Sequence, residues 1–284
     1  MIPDLSVVIV TYKERLDVLK ACFDSVVRQK NIRFEVVVVD NGGSDVTRGL
    51  LMSYPDIKYI RNTSNLGFAA AVNQGMKMSR GRYVLLLNPD TAFADDTFAK
   101  MINHLDEDGD VGIASCIIRY PDGKLQESIR RFPTMKDQLL ILLKTPHIFK
   151  HLKVIERYMM HDVDALQTQD VDSIMGAFMF IRRDLMDEIG LFDQRYFIWF
   201  EEVDYCKMAF DAGWKIRHYA DVEIEHHKGH TFDAIATIRK QKWIRTSLRK
   251  YIQKHHGVFP WVLLWILTPA FIVLAYAAAF IKKQ

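Results

Sequence analysis

At 284 residues the chain is long enough for one large domain or two small ones, and a chain of that size buries about 75% of its unfolded surface without disulfide staples. Hydrophobic residues make up 49% and charged residues 26%, which excludes disordered, collagen-like and disulfide-scaffold chains. The net charge of +3 is unevenly divided: residues 239–284 hold nine Lys/Arg and no acid, leaving 29 basic against 35 acidic residues before them. A mildly acidic body with a basic end is not the spread basic surface of a nucleic-acid binder, but it suits contact with an anionic membrane.

In chain order, Leu5–Val10 is a β-branched run of the kind a strand buried on both faces shows. It is too short, and follows Asp4 rather than a basic region, to be an export signal. Leu16, Leu19, Phe23 and Val26 then recur at helical spacing, and Phe34–Val39 is a second buried strand ending at Asp40. Asn41-Gly42-Gly43-Ser44 is a turn after which Asp45 is expected to cap a short helix. Ile57–Ile60 reads as a third strand, Phe68–Met78 as a helix and Tyr83–Leu87 as a fourth strand ending at Asn88-Pro89-Asp90. This alternation predicts an α/β fold with a mostly parallel central sheet. Residues 120–170 are less regular and are expected to form an insertion or lid; regular structure resumes with Ile174–Ile181 and a helix Val203–Ala212 ended by Gly213. Cys22, Cys116 and Cys206 are far apart and odd in number, consistent with buried thiols in a reducing compartment.

The end of the chain is distinct. Val258–Ile281 is a neutral run of 24 residues containing Trp261, Trp265, Pro269 and Tyr276, preceded by seven Lys/Arg in Arg239–His256. As a helix it would be about 36 Å long, enough for a bilayer core of about 30 Å. It is expected to span the membrane, to lie in its interface, or to be a buried helix; the upstream basic cluster places the body on the cytoplasmic side.

Thr11, Asp40 and Asn88/Asp90 each follow a predicted parallel strand, and ligands of open α/β sheets bind outside those ends. Asp90, held after a proline, offers a hard oxygen for Mg²⁺ or Mn²⁺ bridging a diphosphate. A second acidic group, Glu201-Glu202-Val203-Asp204, opens a helix beside the aromatic residues Phe197, Trp199 and Phe200, which serve equally as core or as a stacking surface for sugars. P-loop, dinucleotide, H-E-x-x-H and G-x-S-x-G motifs are absent, and His226, His227 and His230 lack the partners of a structural zinc site.

Taken together and in order, VVIVTY (7–12), VVVVDNGGSDVT (36–47), NLGFAAAVNQG (65–75), LLLNPD (85–90), MGAFMFIRRD (175–184) and GLFDQRYFIWFEEVDYC (190–206) resemble glycosyltransferase family two over roughly residues 5–232. The N-P-D form, with N-L-G-F upstream, is most similar to the rhamnosyltransferase branch that builds bacterial cell-surface polysaccharides. The resemblance implies a GT-A fold over residues 1–238, ahead of the C-terminal hydrophobic helical segment that composition gives within 239–284, and inverting transfer from a thymidine or uridine diphosphate sugar, rhamnose above all. It implies that Thr11 and Tyr12 flank the base, Asp40 bonds the pyrimidine edge, Asn65 and Asn73 line the nucleotide-sugar pocket, and Asn88 stands where the first acid of the metal motif is usual. Asp90 and His226 would hold Mn²⁺ or Mg²⁺, Trp199 would contact substrate, and Glu202, or its neighbour Glu201, would be the catalytic base. Gly43 and Val46 depart from the family's usual Ser and Gly, and the processive Q-x-x-R-W motif is missing. The acceptor is expected to be lipid-linked or a glycan, at the cytoplasmic face of the bacterial inner membrane. The rival readings are a nucleotidylyltransferase, which lacks its glycine-bearing phosphate loop here, and a non-catalytic membrane scaffold.

Overall fold

The computed structural model describes residues 2–145, 151–227 and 237–281, with the side chains of the last stretch described over 239–274. The β-branched runs become strands β1 (Leu5–Thr11) and β2 (Phe34–Asp40), and β1 is buried along its whole length. Strand β3 (Lys58–Arg61) lies parallel to β2, and β4 (Tyr83–Leu87) lies parallel to β1 on its other side. Register pairs Thr11 with Asp40, so two of the expected strand-end residues stand side by side. Helix α1 (Leu16–Val27) buries Leu19, Phe23 and Val26 against one face of this half-sheet. Helix α2 (Asp45–Leu51) is capped by Ser44, whose hydroxyl accepts from the Thr47 amide, and not by Asp45.

Helix α3 (Phe68–Met78) covers the other face through Ala69, Ala71, Val72 and Met76. It approaches β1 so closely that a Cβ on Gly75 would fall 2.3 Å from Val8 Cγ1, so only glycine fits there.

The second half of the sheet is mixed. The short strand β5 (Thr91–Phe93) leads to α4 (Thr97–Glu107) and β6 (Val111–Arg119). Strand β10 (Phe178–Arg182) runs antiparallel between β4 and β6, and β11 (Lys215–His226) pairs parallel with β6 and antiparallel with β5. The sheet order is β3-β2-β1-β4-β10-β6-β11-β5, with the short β8 (Gln169–Asp170) also on β11. Strands β7 (Ile129–Arg130) and β9 (Ser173–Ile174) form a separate two-stranded ribbon.

The stretch expected as an insertion or lid is built into the body over its described residues. Phe132 and, on α5 (Met135–Leu142), Met135 and Leu139 pack on the main core, and α6 (Lys153–Tyr158) follows. Helix α7 (Arg183–Ile189) precedes the loop that leads into α8 (Glu201–Asp211), which begins two residues earlier than the sequence suggests.

The C-terminal stretch also differs from the expected separate segment. Helix α9 (Thr237–His256) and helix α10 (Val258–Ile281) form a hairpin around Gly257. Leu248, Tyr251 and Ile252 of α9, and Leu264 and Phe271 of α10, belong to the same core cluster as β1 and α3. Four of the seven basic residues on α9 are spent inside the protein. Arg245 donates to the Phe271 carbonyl, Arg249 lies 3.9 Å over the Trp265 ring, Lys250 donates to the Arg195 carbonyl and Lys254 pairs with Asp204. Among the described residues no helix is long and apolar enough to cross a membrane. The outer face of α10 is nonetheless apolar and exposed, with Phe259 81%, Ile266 69% and Val273 67% exposed.

Candidate active site

A pocket of about 530 Å³ opens where β1, β2 and β4 end. Tyr12, Asn41, Asn88, Pro89 and Asp90 come from those ends, and Met175, Gly176 and Ala177 form the turn into β10. The opposite wall is Phe197, Trp199, Glu201 and Glu202, completed by Trp243 from α9.

Strand register assembles one end of the pocket. Antiparallel pairing sets His226, the last residue of β11, opposite Thr91 of β5, next to Asp90. The imidazole is 4% exposed. Its Nδ1 lies 2.7 Å from Gln126 Oε1, while Gln126 Nε2 donates back to the His226 carbonyl at 3.4 Å. That pairing gives Nδ1 the proton and turns Nε2 toward the pocket. Nε2 stands 3.2 Å from Asp90 Oδ1 and 3.2 Å from Asn88 Nδ2. An imidazole and a carboxylate are a donor set that fits Mn²⁺ or Mg²⁺. Among the described residues no three His, Cys, Asp or Glu side chains converge, so the remaining positions of such an ion would fall to substrate oxygens and water. His230, also part of the histidine run, lies outside the described residues.

The other end holds two carboxylates, each with one oxygen left without a partner. Glu201 and Glu202 open α8, both line the pocket, and an Oε2 of each is buried without a hydrogen-bond partner. Burial raises the Glu202 carboxyl to about 7. Glu201 is also pushed up, first by burial and then by the negative charge on Glu202. Neighbouring carboxylates cannot both ionise cheaply, so the pair holds a proton to higher pH than a free glutamate would. The backbone is bent to bring them here: Trp199 and Phe200 have φ of 63° and 71°, the left-handed region that aromatic residues rarely adopt. Phe200 lies against Tyr251 of α9, and the Ser247 hydroxyl donates to the Ile198 carbonyl. Helix α9 therefore holds the bend in place.

The remaining expected residues divide. Tyr12 and Asn65 line the pocket. Asn65 Oδ1 accepts from Asn41 Nδ2 and the Gly67 amide, so it also shapes the loop below α3. Trp199 lines the pocket as expected. Thr11 is fully buried behind it, with its hydroxyl unpartnered. Asp40 is fully buried, and its two oxygens accept from the Tyr59 hydroxyl at 2.8 Å and the Gly42 amide at 3.2 Å. In this arrangement it braces the turn after β2 and is not on the pocket wall. Asn73 is a correction. Its amide donates to the Phe192 carbonyl at 2.8 Å and accepts from the Phe192 amide at 3.0 Å, 119 residues away. It clamps α3 to the loop before α8 and does not reach the pocket.

Sequence reading missed Gln126, which orients His226, and Asn41, whose side chain ties Asn62, Asn65, Leu66 and Gly67 together. Asn41 could have been found, since it follows Asp40 at a strand end. It also missed Trp243, 4.9 Å from the Phe197 ring within a basic helix that carries no signal for a pocket wall.

A family model described as glycosyl transferase family 2 matches residues 6–190. The N-acetylglucosaminyl-diphospho-decaprenol L-rhamnosyltransferase of Mycobacterium tuberculosis (strain H37Rv) is 25% identical over 208 residues, covering 69% of this chain and 67% of its own length. The rhamnosyltransferase WbbL of Escherichia coli K12 is 23% identical over 233 residues, covering 78% of this chain and 83% of its own. Among solved structures, the mannosyltransferase PcManGT from Pyrobaculum calidifontis, in complex with GDP-Man and Mn²⁺, superposes with a TM-score of 0.61 at 20% identity, covering 98% of this chain and 74% of that one. The shared architecture is that of GT-A-like transferases.

Proposed function

The chain belongs to glycosyl transferase family 2, with rhamnosyltransferases among its relatives, and from that premise we propose that it transfers rhamnose, with inversion, from a thymidine or uridine diphosphate sugar to a lipid-linked acceptor. The observation that carries this reading is one pocket with a cation-competent pair, Asp90 and His226, at one end and at the other a carboxylate, Glu202, with one buried oxygen left unpartnered.

The chemistry follows from that polarity. The acceptor hydroxyl gives its proton to Glu202 as its oxygen bonds to the anomeric carbon. The bond from that carbon to the diphosphate oxygen breaks, and the diphosphate leaves with the electron pair. A base with a pKa near 7 is deprotonated at neutral pH yet basic enough to draw a proton in the transition state. A divalent cation held by Asp90 and His226 would offset the charge gathering on the diphosphate. Tyr12 and Asn65 bound the donor end, and Phe197, Trp199 and Trp243 give the apolar faces on which sugar rings stack. The proton that burial keeps on the Glu201–Glu202 pair is available as a hydrogen-bond donor.

The lipid-linked acceptor is supported by what the mycobacterial relative's name says of its own substrate, and by the exposed apolar face of α10. We place the protein at the cytoplasmic face of the bacterial inner membrane, with α10 lying in the interface. The test is a donor panel. Purified protein with Mn²⁺ should release nucleoside diphosphate from thymidine diphosphate rhamnose, faster with a polyprenyl-diphosphate-linked sugar present. Failure to turn over any nucleotide sugar would favour the non-catalytic reading.

A further inference from the structure

A second cleft, of about 430 Å³, lies between the start of α5 and α6 and plays no part in the chemistry above. Four cations line it: Arg131, Lys136, Lys153 and Arg157. The two acids on its wall are already used. Asp137 accepts from the Thr134 amide and hydroxyl and from Gln138, and Asp172 accepts from the Phe132 amide. Arg131 pairs with Asp162 at 3.0 Å, but its Nε is buried with no partner. Lys136, Lys153 and Arg157 have no ion pair among the described residues.

Lys136 is placed at a cost: it is the second residue of α5, where the helix already carries partial positive charge, so its own backbone repels it. An anion in the cleft would relieve that repulsion and give the buried Arg131 Nε a partner.

Two neighbours say what kind of anion. Pro133, between the cleft residues Phe132 and Thr134, accepts through its carbonyl from His256 Nε2 at 2.9 Å. His256 ends α9, and Val258 and Phe259, 63% and 81% exposed, begin the apolar face of α10 just beyond it. A basic cleft thus adjoins an apolar helix start. On the other side, Tyr158 lines the cleft, and Glu202 is among the charges its buried hydroxyl feels. Phe132 of the cleft wall meets Phe210 of α8, the helix near whose start Glu202 lies, with ring centroids 5.5 Å apart, so the cleft touches that helix on one side and adjoins the apolar helix start on the other.

We propose that this cleft holds the diphosphate group of an amphiphilic acceptor, whose hydrocarbon chain runs along the start of α10 while its sugar reaches Glu202. The proposal rests on the transferase reading above and deepens it. No bond is made or broken in the cleft; Lys136, Lys153, Arg157 and Arg131 donate charge-assisted hydrogen bonds to diphosphate oxygens.

The test is a titration of the full chain in detergent with geranyl diphosphate, in chelator so that the donor end lacks its cation. Wild type and Asp90→Ala should each bind one equivalent. The double variant Lys153→Gln/Arg157→Gln should bind at least about tenfold more weakly. Both side chains are exposed, and a thermal melt checks that the variant folds; Lys136→Gln, on the other helix, gives an independent reading in the same direction. No binding by wild type, or loss in Asp90→Ala with none in the double variant, would overturn the assignment. Inorganic phosphate binding as tightly as geranyl diphosphate would do so too, by marking a generic anion sink. A loss of binding to plain phosphatidylglycerol vesicles in the double variant would reassign the cleft to lipid headgroups. Nucleotide-sugar hydrolysis by wild type, measured separately, tests the transferase reading, so failure of either one is distinguishable.

Discussion

Burial raises the Glu202 carboxyl further than the backbone amides of Glu202 and Val203 lower it, and that makes it both reactive and expensive. Its folded-state pKa, about 7, lies above the 4.5 of a free glutamate. Its contribution to stability is therefore fully present below about pH 4.5 and is lost as the pH rises through 7. Glu202→Gln should lower turnover by about 10²–10⁴-fold. The same change should raise the melting temperature at pH 8.5, where the buried charge costs on the order of 3 kcal/mol, and leave it unchanged at pH 4. Wild-type kcat/KM should rise with pH through about 7. A Glu201→Gln variant carrying the larger turnover loss would reverse the two roles. At the cation end, chelation should abolish transfer and Mn²⁺ restore it. Gln126→Leu, which frees the His226 ring, should raise the Mn²⁺ concentration for half-maximal activity by about 10–100-fold. An unchanged metal titration would mean that Gln126 only fills space. Asp90 and Glu202 were legible as pocket residues because carboxylates at a strand end and a helix start form a pattern, whereas His226 was singled out only by the family resemblance. Asn73 was misread because an amide that clamps backbone and an amide that contacts a ligand are the same letter; only its pairing with Phe192 separates them.

The strands and helices of the first ninety residues were legible for a simple reason. Runs such as FEVVVVD have no surface-compatible face, so they can only be central strands. The later elements are harder to read because long-range pairing decides them. β10 runs antiparallel between two parallel neighbours, and β11 breaks register between Tyr219 and Glu223. The start of α8 was placed late because no local rule anticipates two aromatic residues in the left-handed region. That bend is pinned from below as well as by α9. The Phe68 amide donates to the Phe197 carbonyl at 2.7 Å, and Gly67, at φ 90°, passes so close that a Cβ would fall 2.8 Å from that oxygen. Gly67→Ala should therefore destabilise the protein by about 1–3 kcal/mol. It should also raise acceptor KM, because Phe197 and Trp199 move together. A variant that melts lower but keeps its KM would separate the bend from the pocket wall.

For the molecule as a whole, the C-terminal hairpin is part of the core on one side and an exposed apolar surface on the other. Cutting after Gly257 removes Leu264 and Phe271 from the core, a loss of about 1.5–3 kcal/mol for each side chain. The truncated protein should melt lower, keep its donor hydrolysis and leave the membrane fraction on a high-salt wash. The full chain should stay until detergent is added. If the truncated protein also resists salt, attachment lies elsewhere than α10. The salt-sensitive part should be smaller than seven basic residues suggest, because four of them are held inside the protein. Charge counting along the chain could not show this, since it treats every Lys and Arg as free. The division of the pocket has one more consequence. The donor-side residues Tyr12, Asn65 and Asp90 all fall within the matched segment 6–190, whereas Phe197, Trp199, Glu202 and Trp243 all follow it. Only the cation pair straddles the boundary, since His226 follows it while Asp90 precedes it. A chimera that joins the first 190 residues of this chain to the remainder of a relative should therefore turn over donor only where that relative supplies a histidine in register with Asp90, and should take its acceptor wall from the second parent.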